Sequence, residues 1–148
     1  MSTIAVFGLG AMGYGMASSI LRAGHTTYGF DVVPAQMERF QSQGGATGTV
    51  AEVAGSLDAV AIVVLNAAQT EAVMFGGGGI VPQLKKGSVI LACATVPPEF
   101  ARAMEARCAE HGVLYLDAPI SGGAAKAAAG KLSIMAAGSD AAFAAAGP

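Results

Sequence analysis

Tryptophan is missing from these 148 residues, histidine and cysteine occur only twice each, and Lys, Arg, Asp and Glu together make up 12%. Each shortage excludes something. Two cysteines, Cys93 and Cys108, make no disulfide framework, which points to a reducing, cytoplasmic setting. His25 and His111 lie far apart and share no ligand spacing with the cysteines, so no metal site is expected; His25, at a strand start after Gly24, reads as structural. Lys and Arg are scattered in a chain of net charge −2, which leaves no basic stripe for nucleic acid or anionic lipid. The longest apolar strand-like run, Ala59 to Leu65, is far short of the roughly 20 residues a membrane helix needs. The N-terminus lacks the basic stretch of a signal peptide.

What is abundant is apolar surface, at 53% hydrophobic residues. A chain of this length reads as one domain able to bury roughly 70% of its unfolded surface. A parallel sheet covered on both faces accounts for part of the apolar content. Exposed surface that meets something else, including a second copy of the chain, accounts for the rest.

The most informative stretch is Gly8-Leu9-Gly10-Ala11-Met12-Gly13, between the apolar run Ile4–Phe7 and a helical pattern. Strand, glycine turn and helix are the context in which G-x-G-x-x-G means dinucleotide binding. Gly8 allows the tight turn, Gly10 lets the backbone approach a pyrophosphate, and Gly13 lets the helix pack against the strand. The pyrophosphate then meets N–H groups at the positive end of the helix. A second strand ends in Asp31, about 20 residues on, where an acid bonds the adenosine ribose hydroxyls. No cation follows at Val32 or Val33 to meet a 2′-phosphate, so NAD is expected over NADP.

Strand and helix patterns alternate along the chain. Strands are expected at Ile4–Phe7, Thr26–Asp31, weakly at Ala46–Thr47, then at Val60–Leu65, Ser88–Ala92, Val113–Leu116 and Leu132–Ala136. Helices are expected at Met12–Ala23, Pro34–Gln43, Val50–Ala54, Ala67–Phe75, Pro97–His111 and Asp140–Ala146. Repeated βαβ units imply an α/β, doubly wound, mainly parallel Rossmann sheet with right-handed crossovers. Gly76–Gly79 follows a helix rather than a strand, so it reads as a helix stop and loop, not a phosphate cradle.

The opening glycine run, with Met16, resembles the first signature of the β-hydroxyacid dehydrogenases. Asp117-Ala118-Pro119-Ile120-Ser121-Gly122-Gly123, followed by Ala127 and Gly130, is similar to their substrate-binding signature. Val64–Gln69 and Gly138-Ser139-Asp140 look most like the L-threonate dehydrogenase branch. The resemblance implies an NAD-dependent oxidoreductase acting on a small hydroxy acid. It puts Leu65 and Asn66 against the cofactor, Thr95 beside nicotinamide and substrate, and Ser121, Gly122 and Gly123 at the substrate carboxylate. Asn66 also suits a plain helix cap, Thr95 a cap for the Pro97 helix, and Cys93 a small buried thiol near that edge.

Members of this family are longer. The resemblance places their catalytic lysine, and an asparagine one turn later, on a helix beyond Pro148; Lys126 and Lys131 do not occupy that position. Residues 1–148 are thus expected to be the nucleotide-binding domain without the helical second domain, and inactive alone. A standalone NAD(H)-sensing module is the alternative. A methyltransferase fits less well, because Ile4–Phe7 carries no acid ahead of the glycines.

Overall fold

The computed structural model describes residues 2–76, 79–121, 130, 133–134 and 136–146. Five parallel strands form the body of the sheet: β1 (Thr3–Phe7), β2 (Thr26–Phe30), β3 (Ala59–Ile62), β4 (Val89–Ala92) and β5 (Leu114–Asp117). Their spatial order is β2-β1-β3-β4-β5, and β8 (Ala137–Gly138) closes the far edge antiparallel to β5. A short second ladder joins β6 (Ile120–Ser121) to β7 (Ser133–Ile134). The helices are α1 (Ala11–Arg22), α2 (Pro34–Ser42), α3 (Val50–Val53), α4 (Ala67–Phe75), α5 (Pro98–Glu110) and α6 (Asp140–Ala146).

The sheet is wound on both faces because its strands are apolar on both. Along β1, Ala5 joins a core with Met74, Met104 and Cys108 of α4 and α5, while its neighbour Val6 joins Tyr14, Ala17 and Phe40 of α1 and α2. Further along the sheet Ile90 and Tyr115 face α5, while Val89 and Leu116 face Ala142 of α6. A strand buried on both sides shows no polar alternation, which explains the continuous apolar runs in the sequence. Phe40 anchors the α2 side: a β-carbon on Gly29 or on Gly45 would run into its ring.

Two expectations need correction. The Val60–Leu65 run ends as a strand at Ile62, and Leu65 is 84% exposed. Both neighbours stop at the same level, since Phe7 and Ala92 are the register partners of Ile62. Two further bonds, from Val63 N–H to Phe7 O at 2.8 Å and from Cys93 N–H to Ile62 O at 2.9 Å, complete the ladder on its two sides. Leu132–Ala136 is also not one strand. Within it only Ser133–Ile134 is strand, paired with β6, and the pairing with β5 begins beyond it at Ala137; Leu132 and Met135 lie outside the described residues. The weak strand at Ala46–Thr47 is reduced to a single parallel bridge from Ala46 to Tyr28 of β2.

Candidate functional site

The strand order reverses between the parallel strands β1 and β3: the chain passes from β1 outward to β2 on one side and from β3 outward to β4 on the other, and the rule for open α/β sheets puts a crevice at their carboxyl ends. Open α/β sheets hold ligands at this point. The loop from β1 into α1 forms one wall. Gly8 sits at φ +96°, which a side chain disfavours, and a β-carbon there would strike the Val63 carbonyl. A β-carbon on Gly13 would strike the Gly8 carbonyl. These two glycines are required by the fold itself. Gly10 is different. It has an ordinary φ of −66°, is exposed, and a β-carbon added to it would meet nothing within 4 Å. The protein leaves that space open.

Gly10 is also the N-cap of α1, and it supplies no side-chain cap. The first intrahelical bond runs from Tyr14 N–H to Gly10 O at 2.8 Å. The N–H groups of Ala11, Met12 and Gly13 therefore precede the helical ladder. No acidic residue stands in the first turn of α1. An exposed helix N-terminus with no acid and no cap favours an anion.

Leu9 plays an internal part. Its side chain is fully buried. Its N–H donates to Asp31 Oδ2 at 2.7 Å, and its carbonyl accepts from Gln36 Nε2 at 2.9 Å. The other Asp31 oxygen accepts from Val33 N–H at 2.8 Å. Asp31 thus ties the glycine turn to the start of α2, and each of its oxygens keeps a lone pair for a further donor. Beside it Val32 is 97% exposed and Val33 50%. Leu65, just beyond the end of β3, is likewise exposed. Sequence reasoning did not single out Gln36, which carries no motif, and it read Val32 and Val33 only as positions without a cation for a 2′-phosphate.

Asn66 is the N-cap of α4: its side chain accepts from Gln69 N–H at 2.9 Å, and Gln69 Oε1 in turn accepts from Leu65 N–H at 2.9 Å. The capping reading of Asn66 is therefore real. Thr95 is exposed beyond β4 and does not cap α5, whose N-cap is Pro97 with no side-chain bond. Cys93 is buried, and burial pushes its thiol up to about 12, so it stays neutral and non-nucleophilic. His25 accepts from Ser2 N–H through Nδ1 at 3.0 Å, at the opposite, amino edge of the sheet. Asp117 ends β5; one of its oxygens is buried with no partner among the described residues, and burial raises its pKa. Ser121 ends β6, while Gly122 and Gly123 lie outside the described residues.

Residues 3–148 match the family model for the NAD-binding domain of 6-phosphogluconate dehydrogenase. The chain belongs to this family of NAD-binding domains. Among relatives, it is 48% identical over 136 residues to an L-threonate dehydrogenase of Cupriavidus necator, which covers 91% of this chain and 46% of that protein. It is 37% identical over 139 residues to an NAD-dependent L-serine dehydrogenase of Pseudomonas aeruginosa, covering 93% and 47%. The crystal structure of a 3-hydroxyisobutyrate dehydrogenase from Salmonella typhimurium superposes with a TM-score of 0.92 at 39% identity, over 98% of this chain and 51% of the other. The resemblance to hydroxyacid dehydrogenases is thus confirmed, and so is the Rossmann-type sheet. The chain spans about half the length of the relatives it matches.

Proposed function

We propose that this chain is the cofactor-holding part of an NAD-dependent dehydrogenase acting on a small 3-hydroxy acid, with L-threonate or 3-hydroxyisobutyrate as the leading substrates. The observation that carries it is the contrast within the fingerprint: two glycines the fold requires, and one it does not, facing open space at an uncapped helix end. In this reading Gly8 and Gly13 shape the turn. Gly10, Ala11 and Met12 present backbone N–H groups to the pyrophosphate, and Leu9 is the buried anchor beneath them. Asp31 accepts from the adenosine ribose hydroxyls. Val32 and Leu65 flank the cofactor, and Asn66 holds the turn that carries Leu65. Thr95 faces nicotinamide and substrate, and Ser121 with Gly122 and Gly123 takes the substrate carboxylate. NAD, when bound, supplies the hydride acceptor.

Relatives of matching sequence bear the names L-threonate dehydrogenase and NAD-dependent L-serine dehydrogenase, which supports a small, polar, carboxylate-bearing substrate. The proton acceptor for the substrate hydroxyl is not assigned to any of the 148 residues. We place residues 1–148 as one nucleotide-binding domain of a two-domain enzyme working in the cytoplasm, a setting supported by two buried, unpaired thiols. Exposed Val32, Leu65, Ile134 and Phe143 support self-association of the isolated domain.

Titration calorimetry with NAD and NADH tests the reading. Saturable one-to-one binding supports it; no binding at millimolar cofactor sinks it. Fusing the chain to the second half of a matched L-threonate dehydrogenase separates enzyme from sensor: NADH production with L-threonate favours the enzyme, and binding without turnover in that fusion favours the sensing module.

A further inference from the structure

We propose that Gln36 is a positioning residue for the cofactor pyrophosphate, acting through the backbone of the glycine turn rather than by touching the ligand. The inference rests on the reading that NAD sits on this turn. Gln36 lies in the first turn of α2, half-buried, with its N–H bonded to Val33 O at 3.1 Å. Its side-chain amide reaches across to the Leu9 carbonyl at 2.9 Å.

The Leu9 carbonyl and the Gly10 N–H belong to one peptide unit. That unit is planar and trans, so the N–H points opposite to the C=O. Fixing the Leu9 carbonyl therefore fixes the direction of the Gly10 N–H, the first donor the phosphates would meet. Asp31 does the same one peptide earlier: by accepting from Leu9 N–H at 2.7 Å it sets the plane of the Gly8–Leu9 unit. Gly8 is held in turn by its own N–H, bonded to Phe30 O at 2.8 Å. Two successive peptide planes are thus clamped by side chains from β2's end and from α2. Without them a Gly-Leu-Gly segment is free to rotate, and a pyrophosphate would have to order it on binding. Of the two clamps, Gln36 has the single role. Asp31 also holds Val33 and faces the ribose, whereas the Gln36 amide donor serves only this carbonyl among the described residues.

The test is affinity for three ligands: NAD, ADP-ribose and adenosine. Gln36→Met keeps the methylene stem and removes the donor. Losing one neutral hydrogen bond corresponds to about three- to tenfold weaker binding of NAD and of ADP-ribose. Adenosine, which has no phosphate, should change by less than about twofold, since its affinity owes nothing to that one bond. A mere loss of folding or packing would weaken all three together, and that result overturns the inference. So does unchanged NAD affinity. Gln36→Glu is a second variant of the same size. At pH 8 it sets a carboxylate against the Leu9 carbonyl and should bind NAD more weakly than Gln36→Met; a glutamate variant as tight as the native protein also overturns the inference. Absence of NAD binding by the native chain would instead bring down the underlying functional reading.

Discussion

Gly13 stands against Gly8 so closely that a β-carbon on Gly13 would overlap the Gly8 carbonyl oxygen. The contact joins the start of α1 to the end of β1 with no side chain between them. Gly13→Ala must push backbone from backbone, an overpacking that costs about 1–3 kcal/mol, or roughly 3–12 °C in thermal midpoint. Gly10→Val should behave in the opposite way. It has room on the free protein, so circular dichroism and midpoint stay near native while NAD binding is nearly abolished. Unchanged NAD affinity in a folded Gly10→Val protein would mean the fingerprint is only a structural turn.

NAD should bind more tightly than NADP by about ten- to a hundredfold. A 2′-phosphate beside Asp31 gains repulsion and loses a hydrogen bond, together roughly 1–3 kcal/mol after solvent screening. Competitive titration of the two cofactors measures it, and equal affinities would refute it. Reversal by mutation is less simple than the sequence suggests. Asp31 accepts from two backbone N–H groups, of Leu9 and Val33. Asn in its place has one acceptor oxygen and would turn its amide on the other donor, which costs about 1–3 kcal/mol. Val32→Arg alone, at a fully exposed position, is therefore the cleaner way to narrow the preference.

The isolated 148-residue chain should bind NAD without turning over hydroxy acids. General acid–base help is worth about 10²–10⁴-fold, and substrate positioning a further large share of the rate. Neither Thr95 nor the neutral Cys93 thiol at the carboxyl edge is suited to take the hydroxyl proton at neutral pH. The assay is NADH formation with L-threonate and 3-hydroxyisobutyrate. Clear product from the pure chain would show that a group within it does this work, and Lys126 or Lys131 would be the first to replace.

Two carboxylates should shift stability with pH in opposite senses. Asp58 is held below the usual carboxylate range first by its bond from Lys85, at 2.7 Å, and then by the Thr3 N–H at 2.8 Å. A depressed folded pKa gives stability that is present above the unfolded value, near 4, and lost as pH falls through the folded one. Asp58→Asn should therefore cost about 0.5–1 kcal/mol at pH 7, a modest figure because the pair is about half exposed, and less at pH 3. Asp117 is raised by burial. Its favourable contribution is present below the unfolded pKa and lost as pH rises through the folded one, so Asp117→Asn should be neutral or stabilising at pH 7. Urea melts of both variants at pH 3 and pH 7 decide it; the same sign for both at pH 7 would contradict the assignment.

The fold was legible wherever the pattern was local. Pro34, Ala67 and Asp140 each begin a helix where the capping and proline rules put one, and Ala67–Phe75 runs to the expected residue. Strand ends were less legible, because they depend on neighbours. Val63 and Val64 look like strand, yet the sheet stops where Phe7 and Ala92 stop. The hairpin-like pairing of Ile120 with Ile134, and the antiparallel Ala137–Gly138 edge, involve partners far apart in sequence and two residues long, too short for any periodicity. In the site, glycines and Asp31 announced themselves by motif. Gln36 did not, since its partner is a backbone carbonyl 27 residues away, and a carbonyl has no sequence signature.

The bare N-terminus of α1 ties the fate of the helix to its guest. With Gly10 as N-cap and no acid in the first turn, no side chain among the described residues caps that end of the helix. A bound dinucleotide would act as a removable cap, and thermodynamic linkage makes the benefit mutual: whatever free energy the helix end lends to the anion, the anion returns to the helix. Amide protons near the start of α1 should then exchange with solvent faster in the empty protein and slow down on loading, ahead of those in the sheet. The same residues should fray before the sheet does when cofactor is scarce, so protection of this one turn would report whether the crevice is filled.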